Sequence, residues 1–272
     1  MARMKLNWDL ALKGQLGFNN PQAESNRFSL RNELFRSVTD DTWREVLRQH
    51  KVDDLLSVRE FRRYCRMFQP QQPVEPGIVI PIPTTVNFGF NFFGRTLAAG
   101  DSAYDSTNFA TKVRSVGVWF SNYDALTSQG LSNTPRVYLI PVGYDIMRSP
   151  TGELGEIRTW KILDQKLPVP FPIGSADLGS PEWIPMVDTL SEEYAALRRY
   201  SSFRAYHDSG QFDAKETVSD SRLIGRSVWN TRWLLIIPAG TLHSDRQKAL
   251  DTFINGVTDI EVFFQTYAYS GD

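Results

Sequence analysis

Apolar and polar residues alternate over several short segments of the chain, beginning near residue 84. The clearest segment is 111–120, where Val116, Val118 and Phe120 fall on one face and Val113 and Trp119 on the other. A period of two residues is typical of half-buried strands. The same pattern predicts further strands over 85–93, 136–142, 157–163, 229–237 and 258–267, separated by Pro, Gly, Asn and Ser. We therefore predict a mostly β fold, an antiparallel β-sandwich of the jelly-roll or immunoglobulin-like kind.

Helical patterns are short and begin in the N-terminal segment. Residues 1–35 carry only irregular or weakly helical signals. A hydroxyl residue followed three positions later by Glu predicts helix starts at Thr42 and Ser57. The second of these helices has an apolar stripe at helical spacing, made of Phe61, Tyr64, Cys65 and Phe68.

Two further short helices are predicted as insertions among the strands. The first begins with a cap at Thr189 and covers 189–200. The second covers 244–256, begins with a cap at Ser244 and ends at Asn255-Gly256. Its inward residues are expected to be Ala249, Leu250, Phe253 and Ile254.

A Pro-rich stretch predicts the division of the chain. Five prolines lie within 69–83, and proline disfavours helix because it lacks a backbone donor. Residues 1–70 also carry 13 Lys/Arg against 9 Asp/Glu, whereas the rest of the chain is acidic. We predict a helical N-terminal segment over 1–70, a linker over 71–83 and a β-sandwich domain over 84–272.

Composition narrows the classes of function. The 272 residues have a net charge of -1, which gives no global field for nucleic acid. Cys65 is the one cysteine, so the fold uses no intrachain disulfide. The first residues lack the apolar core of a signal peptide, and no apolar run is long enough to span a bilayer. We expect synthesis in the cytoplasm and, if the protein acts outside the cell, release by another route.

Catalytic and metal-binding motifs are absent from the sequence. His50, His207 and His243 lie far apart, whereas a metal site needs clustered ligands. No phosphate-binding loop, dinucleotide motif or nucleophile elbow occurs, so we predict no cofactor, no metal and no enzyme activity. A hydrolase would need two nearby carboxylates, and the candidates are Asp101, Asp105, Asp124 and Asp145.

Candidate partner-binding residues fall into two groups. The first consists of residues in loop-like contexts that can anchor an interface or stack on a sugar, namely Tyr104, Asp105, Tyr123, Tyr144, Trp183 and Tyr206. The second is a stripe of arginines at helical spacing that suits phosphate or an acidic partner, namely Arg59, Arg62, Arg63 and Arg66. For each group the alternative is structural: core packing for the aromatics and a solvated helix face for the arginines.

Two segments of the β region resemble a known family. Residues 109–116 read Phe-Ala-Thr-Lys-Val-Arg-Ser-Val after Tyr104-Asp105, and residues 257–262 read Val-Thr-Asp-Ile-Glu-Val before Tyr267 and Tyr269. They are similar to two strands in the C-terminal region of the A subunit of insecticidal toxin complexes (Tc toxins). In that family the region is a β-sandwich that binds the B subunit at one end of a pentameric channel.

The resemblance implies a non-catalytic module of a secreted virulence complex that docks a B-subunit-like partner. A homo-oligomer within a larger assembly is compatible with it. Loops around 101–108, 121–133 and 204–220 are the expected contact regions, because loops on a rigid scaffold usually carry recognition. Two other functions stay open: a carbohydrate-binding module for cell-surface glycans, and a hydrolase with loop carboxylates.

Overall fold

The described residues of the computed structural model form two antiparallel sheets. The structure describes residues 22–65, 74–85, 89–101, 108–133, 135–148, 157–161, 171–172 and 227–270. The strands in these residues are β1 (Gln22–Ser29), β2 (Lys51–Val52), β3 (Gly77–Ile82), β4 (Asn108–Ser121), β5 (Arg136–Arg148), β6 (Ile157–Lys161), β7 (Phe171–Pro172), β8 (Trp229–Pro238) and β9 (Asp259–Ser270). The first sheet has the order β1-β9-β4, and the second has the order β2-β3-β8-β5-β6, with β7 beside β5.

The three-stranded sheet is built on the last strand of the chain. Strand β9 pairs with β1 on one side and with β4 on the other. Val262 lies opposite Phe28 in β1 and Val118 in β4, so one apolar row crosses the sheet. Two register shifts near the start of β4 show that the pairing is irregular there. The predicted strands over 111–120 and 258–267 are thus confirmed as neighbours in one sheet.

The six-stranded sheet has β8 at its centre, between β3 and β5. Leu235 and Ile237 face one side of the sheet and Leu234 and Ile236 face the other, and all four are buried. Because both faces of β8 are covered there, residues 233–237 form a continuous apolar run rather than an alternating one. The predicted strands over 136–142, 157–163 and 229–237 are confirmed in this sheet.

The facing sides of the two sheets share one apolar core. The ring of Trp233 in β8 meets that of Phe264 in β9 edge-on, with centroids 5.3 Å apart. Phe92 contacts both Trp229 and Phe264 and stacks on Phe28 at 3.9 Å. The predicted antiparallel sheets are therefore confirmed, and in the described residues strands outweigh helices, which is compatible with a mostly β fold.

A second, smaller core lies on the other side of the six-stranded sheet. Residues of β5 and β8 on that face are covered by the segment 52–65. Phe61 in this segment is buried and meets Tyr138 of β5 edge-on, with ring centroids 6.0 Å apart. The predicted N-terminal segment thus packs on a sheet, and its Trp43 and Leu47 join the main core.

Four α-helices occur in the described residues: α1 (Asp40–Gln49), α2 (Arg59–Tyr64), α3 (Tyr123–Thr127) and α4 (Arg246–Gly256). The predicted start of the first helix at Thr42 is wrong, because Thr39 is the N-cap and forms a reciprocal capping box with Thr42. The predicted start of the second helix at Ser57 is also wrong, since Ser57 ends a short 3-10 turn and α2 begins two residues later.

Helix α4 confirms the prediction for 244–256, with Asp245 rather than Ser244 as its N-cap. The side chain of Asp245 accepts a hydrogen bond from the Lys248 backbone at 3.1 Å. All four residues expected to face inward are buried. The helix predicted over 189–200 lies outside the described residues.

Three further sequence-based predictions of local structure need correction. Residues 22–29 were expected to be irregular or weakly helical, yet they form β1, which is held by backbone pairing to β9. Residues 77–82 were assigned to a linker but form β3, whose Ile78, Ile80 and Ile82 enter the core. Pro81 is tolerated because β2 pairs only with residues 77 and 78, which leaves the later part of β3 on the edge.

The third correction concerns the strand predicted over 85–93. Residues 86–88 of this segment lie outside the described residues. In the part that is described, the chain turns at Gly89 and Gly94, both with positive φ, and its extended pairing is one bridge between Phe90 and Thr96. Phe92 and Phe93 are both buried, which an alternating strand does not allow. These residues belong to a structured loop over 89–101, described below.

Candidate functional site

The loop over 89–101, which we call the pinned loop, is fixed by its own side chains. The Asn91 side-chain oxygen accepts hydrogen bonds from the backbone of Phe93 and Arg95, each at 3.0 Å. The Asn91 amide nitrogen donates to the carbonyl of Glu33, also at 3.0 Å. One buried asparagine therefore closes the turn and ties it to the segment that follows β1.

Asp101 anchors the other end of the pinned loop. Its two carboxylate oxygens accept from Arg36 Nη1 at 3.0 Å and Nη2 at 2.7 Å, the fork geometry of a strong ion pair. It also accepts from the backbone of Ala98 at 2.8 Å. Burial opposes ionisation, but the bonds from Arg36 and Ala98 hold the pKa of Asp101 below its ordinary value of 3.8. Both oxygens of Asp101 thus already accept hydrogen bonds, and the carboxylate has a structural role.

The pinned loop presents two large apolar side chains to solvent. Phe90 is 42% exposed and Leu97 is 41% exposed. Phe90 is bridged to Thr96, and the backbone of Leu97, the residue after Thr96, donates to the Gly89 carbonyl at 3.1 Å, so Phe90 and Leu97 belong to one small hairpin. Exposed Val38 lies two residues after Arg36, which donates to the Thr96 carbonyl at 2.9 Å. Rigid backbone that presents apolar side chains is typical of an interaction surface.

Of the residues proposed as interface anchors, Tyr123 is corrected by the structure. It lies in α3 rather than in a loop, and it is 1% exposed. Its ring contacts Phe120 and Phe253, and its hydroxyl donates to the Ser132 carbonyl at 2.9 Å. Burial raises the pKa of this phenol above its ordinary range. Tyr123 is therefore a core residue.

The other proposed anchors are distributed differently. Tyr144 lies in strand β5 rather than in a loop, and it is 50% exposed. Arg59 and Arg62 are exposed on α2, and Arg63 lies in the same helix. The remaining residues of the two groups lie outside the described residues, namely Tyr104, Asp105, Trp183, Tyr206 and Arg66. Among the described residues no ring contact joins Tyr144 to Phe90, the other exposed aromatic residue.

The carboxylates considered for hydrolysis do not meet in the part of the chain that the structure describes. Asp101 is bound by Arg36, Asp124 is exposed on α3 and Asp105 is outside the described residues. Asp145 is buried in β5 near Lys112 of β4. Burial lowers the pKa of Lys112 below its ordinary value of 10.5, while the charge of Asp145 opposes that shift. We interpret this pair as a buried polar link between two strands.

A different carboxylate cluster, which we call the acidic seam, joins the turn after β1 to the start of β9. It consists of Glu33, Asp259 and Glu261. Asp259 accepts hydrogen bonds from the Ser29 hydroxyl at 2.6 Å and from the Arg31 backbone at 3.0 Å. Glu261 forms an ion pair with Arg27 at 2.7 Å, and Glu33 accepts from the Ser29 backbone at 3.0 Å. No motif in the sequence points to this cluster, although Asp259 and Glu261 are two apart on a strand and therefore share a face.

The electrostatics of the acidic seam give a testable pH dependence. Burial raises the pKa of Glu261 above 4.5; Arg27 opposes this shift, and the charges of Asp259 and Glu33 reinforce it. A carboxyl with a raised pKa in the folded state contributes stability that is present below its unfolded pKa and lost as pH rises through its folded pKa. The Glu261→Gln variant should therefore lose less stability than wild type as pH rises from 4.5.

Urea unfolding at a series of pH values measures this difference. The slopes of the free energy of unfolding against pH should differ by at most about 1.4 kcal/mol per pH unit, the limit for one proton. A matched control is Glu45→Gln, because Glu45 is exposed on α1. Equal slopes for Glu261→Gln and wild type would contradict the electrostatic description of the seam.

Metal binding finds no support in the described residues. No group of three or more His, Cys, Asp or Glu in these ranges is arranged to hold a metal ion. His50 caps α1, with its Nδ1 2.7 Å from the Val46 carbonyl, and His243 Nδ1 accepts from the Asp245 backbone at 2.8 Å. Nor does any helix in the same ranges combine the length and the apolar character needed to span a membrane.

Comparisons with known proteins assign no family to the chain. No family model matches its sequence, and no curated protein matches it. The resemblance to toxin-complex A subunits therefore stays a prediction, and a function is inferred from the exposed residues of the pinned loop.

Proposed function

We propose that the chain is a non-catalytic docking module of a toxin-complex-like assembly, in which a β-sandwich presents the pinned loop to a partner subunit. The observation that carries the proposal is the exposure of Phe90 and Leu97 on a hairpin whose backbone is fixed. Truncating a few large side chains at the centre of an interface usually removes much of the binding energy. The partner surface that fits such a hairpin is concave and apolar.

Pre-organisation supports the proposal. The Asn91 and Asp101 side chains accept hydrogen bonds from backbone N–H groups of the loop, and the buried ring of Phe92 holds the loop on the core by stacking on Phe28. A loop that is ordered before binding loses little conformational entropy when it docks, so more of the contact energy appears as affinity.

The arrangement of the strands is also compatible with the family resemblance. The two segments that resemble the toxin-complex family lie in β4 and around the start of β9, which are neighbouring strands of one sheet. The apolar sides of the two sheets meet at Trp233 and Phe264, as the layers of a β-sandwich do. We therefore propose the sandwich architecture together with the docking role.

Docking predicts that polar substitutions on the pinned loop weaken binding without unfolding the protein. The Phe90→Ser/Leu97→Ser double variant should bind a B-type toxin-complex subunit, sought among the genes beside this one, roughly 30-fold or more weakly than wild type, the scale of hot-spot truncations. Val74→Ser is the matched control, because Val74 is equally exposed but lies off the loop. Biolayer interferometry gives the affinities, and light scattering of the mixture gives the stoichiometry.

Three outcomes would reject the docking proposal. The first is equal affinity of the loop variant and wild type. The second is an equal loss in the Val74→Ser control. The third is a mixture of wild type and the B-type subunit in which light scattering finds only monomers. Separately, a gene neighbourhood without a B-type subunit rejects the toxin-complex assignment.

A further inference from the structure

The hairpin of the pinned loop carries a cation as well as its two exposed apolar side chains. Arg95 is exposed and lies two residues before Leu97 on the same arm of the hairpin. The Arg95 carbonyl accepts a hydrogen bond from the Asn91 backbone at 2.7 Å, which fixes this arm opposite the one that holds Phe90. One short, rigid stretch of backbone therefore presents a guanidinium group together with Phe90 and Leu97.

Two arginines reach this hairpin, and they differ in their partners. Arg36 donates to both oxygens of Asp101, so its charge is neutralised within the molecule. In the part of the chain that the structure describes, the Arg95 side chain makes one hydrogen bond, from Nε to the Leu34 carbonyl at 3.1 Å. None of the ion pairs among the described residues includes Arg95.

The bond from Nε orients the Arg95 guanidinium group without neutralising it, because Leu34 offers a neutral carbonyl. A guanidinium group has five N–H donors, and the four on Nη1 and Nη2 suffice to hold a carboxylate through two parallel bonds. A side chain that is oriented before binding loses less conformational entropy when it forms a contact. Arg95 is thus pre-organised to receive an acidic group.

We propose that Arg95 forms an ion pair with a carboxylate of the partner subunit, at the edge of the apolar pocket that receives Phe90 and Leu97. This inference rests on the proposed docking function and adds a charge requirement to it. An unneutralised cation next to the apolar contacts disfavours a wholly apolar or a basic partner surface, because its desolvation would not be compensated. The surface that fits the pinned loop is therefore an apolar pocket with an Asp or Glu at its rim.

A protein carboxylate is favoured over a lipid phosphate as the acceptor. Anionic membrane surfaces recruit clusters of several cations. The described residues of the hairpin offer one unneutralised cation, since Arg36 is already paired with Asp101. The net charge of the whole chain is -1, which adds no general attraction to an anionic surface.

Association kinetics at a series of salt concentrations test the inference, with the same B-type subunit as the probe. Arg95→Gln should lower the association rate constant at least about threefold at an ionic strength of about 0.01 M, because a charge at the rim of an interface acts mainly on association. The difference from wild type should vanish near 1 M salt, where the screening length is about 3 Å. Arg95→Lys should keep most of the wild-type rate, because it keeps the charge. If Arg95 only held the loop to Leu34, both variants would lose binding equally and at every salt concentration.

Arg62→Gln is the matched control, because Arg62 is an exposed arginine on α2, which packs on the second core. It removes the same charge and should keep the wild-type association rate within about twofold. An unchanged rate for Arg95→Gln, alongside a loss in Phe90→Ser/Leu97→Ser, overturns this inference and leaves docking intact. Unchanged affinity of Phe90→Ser/Leu97→Ser rejects docking and this inference with it. Binding to phosphatidylserine vesicles that is as tight as binding to the B-type subunit overturns the choice of a protein carboxylate.

Discussion

Replacing Arg246 with Met is expected to lower the free energy of unfolding by about 3–5 kcal/mol, because it leaves a buried carboxylate without its cation. Glu75 has a side chain with 0% exposure, and its Oε2 lies 3.1 Å from Arg246 Nη2. Arg246 also donates to the Val74 carbonyl. The Gly240 backbone donates to Glu75 Oε1 at 2.7 Å, so the pair fixes the turn after β8 to the segment that leads into β3.

The loss in Arg246→Met should depend on pH in a defined direction. Burial already raises the pKa of Glu75 above 4.5, while the Gly240 bond and the charge of Arg246 oppose that shift. Without Arg246 the folded-state pKa rises further, and the associated stability is lost as pH rises through it. The difference from wild type should therefore be small near pH 4.5 and should grow toward pH 8.

Two variants separate this mechanism from a simple loss of packing. Adding Glu75→Gln to Arg246→Met removes the buried charge but keeps an acceptor for the Gly240 backbone. The double variant should therefore recover much of the lost stability, and its difference from wild type should no longer grow with pH. Arg44→Met breaks an ion pair to exposed Asp41 and should change stability by less than about 1 kcal/mol. A loss in Arg246→Met that is the same at every pH would contradict the role given to Glu75.

Sequence periodicity predicts those strands and helices in which apolar residues recur at the spacing of the element. In strand β4, Val118 joins the main core and Trp119 lies on the opposite face under Arg27, and α4 repeats its buried residues every three or four positions. Strand β1 has a single large apolar residue, Phe28, so its sequence carries no period. Its position is set by backbone pairing with β9, which sequence patterns do not encode.

The candidate sites were predicted less well because they depend on contacts between distant positions. Tyr123 has the neighbours of a loop residue, but its helix packs on α4, where Phe253 contacts its ring. Glu33 and Asp259 come together only through the pairing of β1 with β9. Asn91 looks like an ordinary turn residue, and only the structure shows that it closes the turn and reaches Glu33. Local composition can suggest such residues as candidates, but it does not show which distant residues they contact.

A second large loss of stability is expected when the core shared by the two sheets is truncated. Trp233→Ala should lower the free energy of unfolding by about 3–5 kcal/mol, the usual range for removing a large buried aromatic residue. The Trp233 side chain is fully buried, and its ring nitrogen donates to the Val228 carbonyl at 3.0 Å. Its ring belongs to the six-stranded sheet, and the ring that it meets, Phe264, belongs to the three-stranded sheet. Removing it therefore weakens the contact between the two layers.

A double-mutant cycle of Trp233→Ala and Phe264→Ala isolates that contact, and its coupling energy should be about 0.5–1.5 kcal/mol. The matched control is the cycle of Trp233→Ala with Phe61→Ala, which lies in the second core and should be additive within about 0.5 kcal/mol. A coupling near zero between Trp233 and Phe264 would show that the sheets do not face each other. The result also bears on docking, because Phe92 contacts Trp229 of one sheet and Phe264 of the other, so both sheets must hold together to support Phe90 and Leu97.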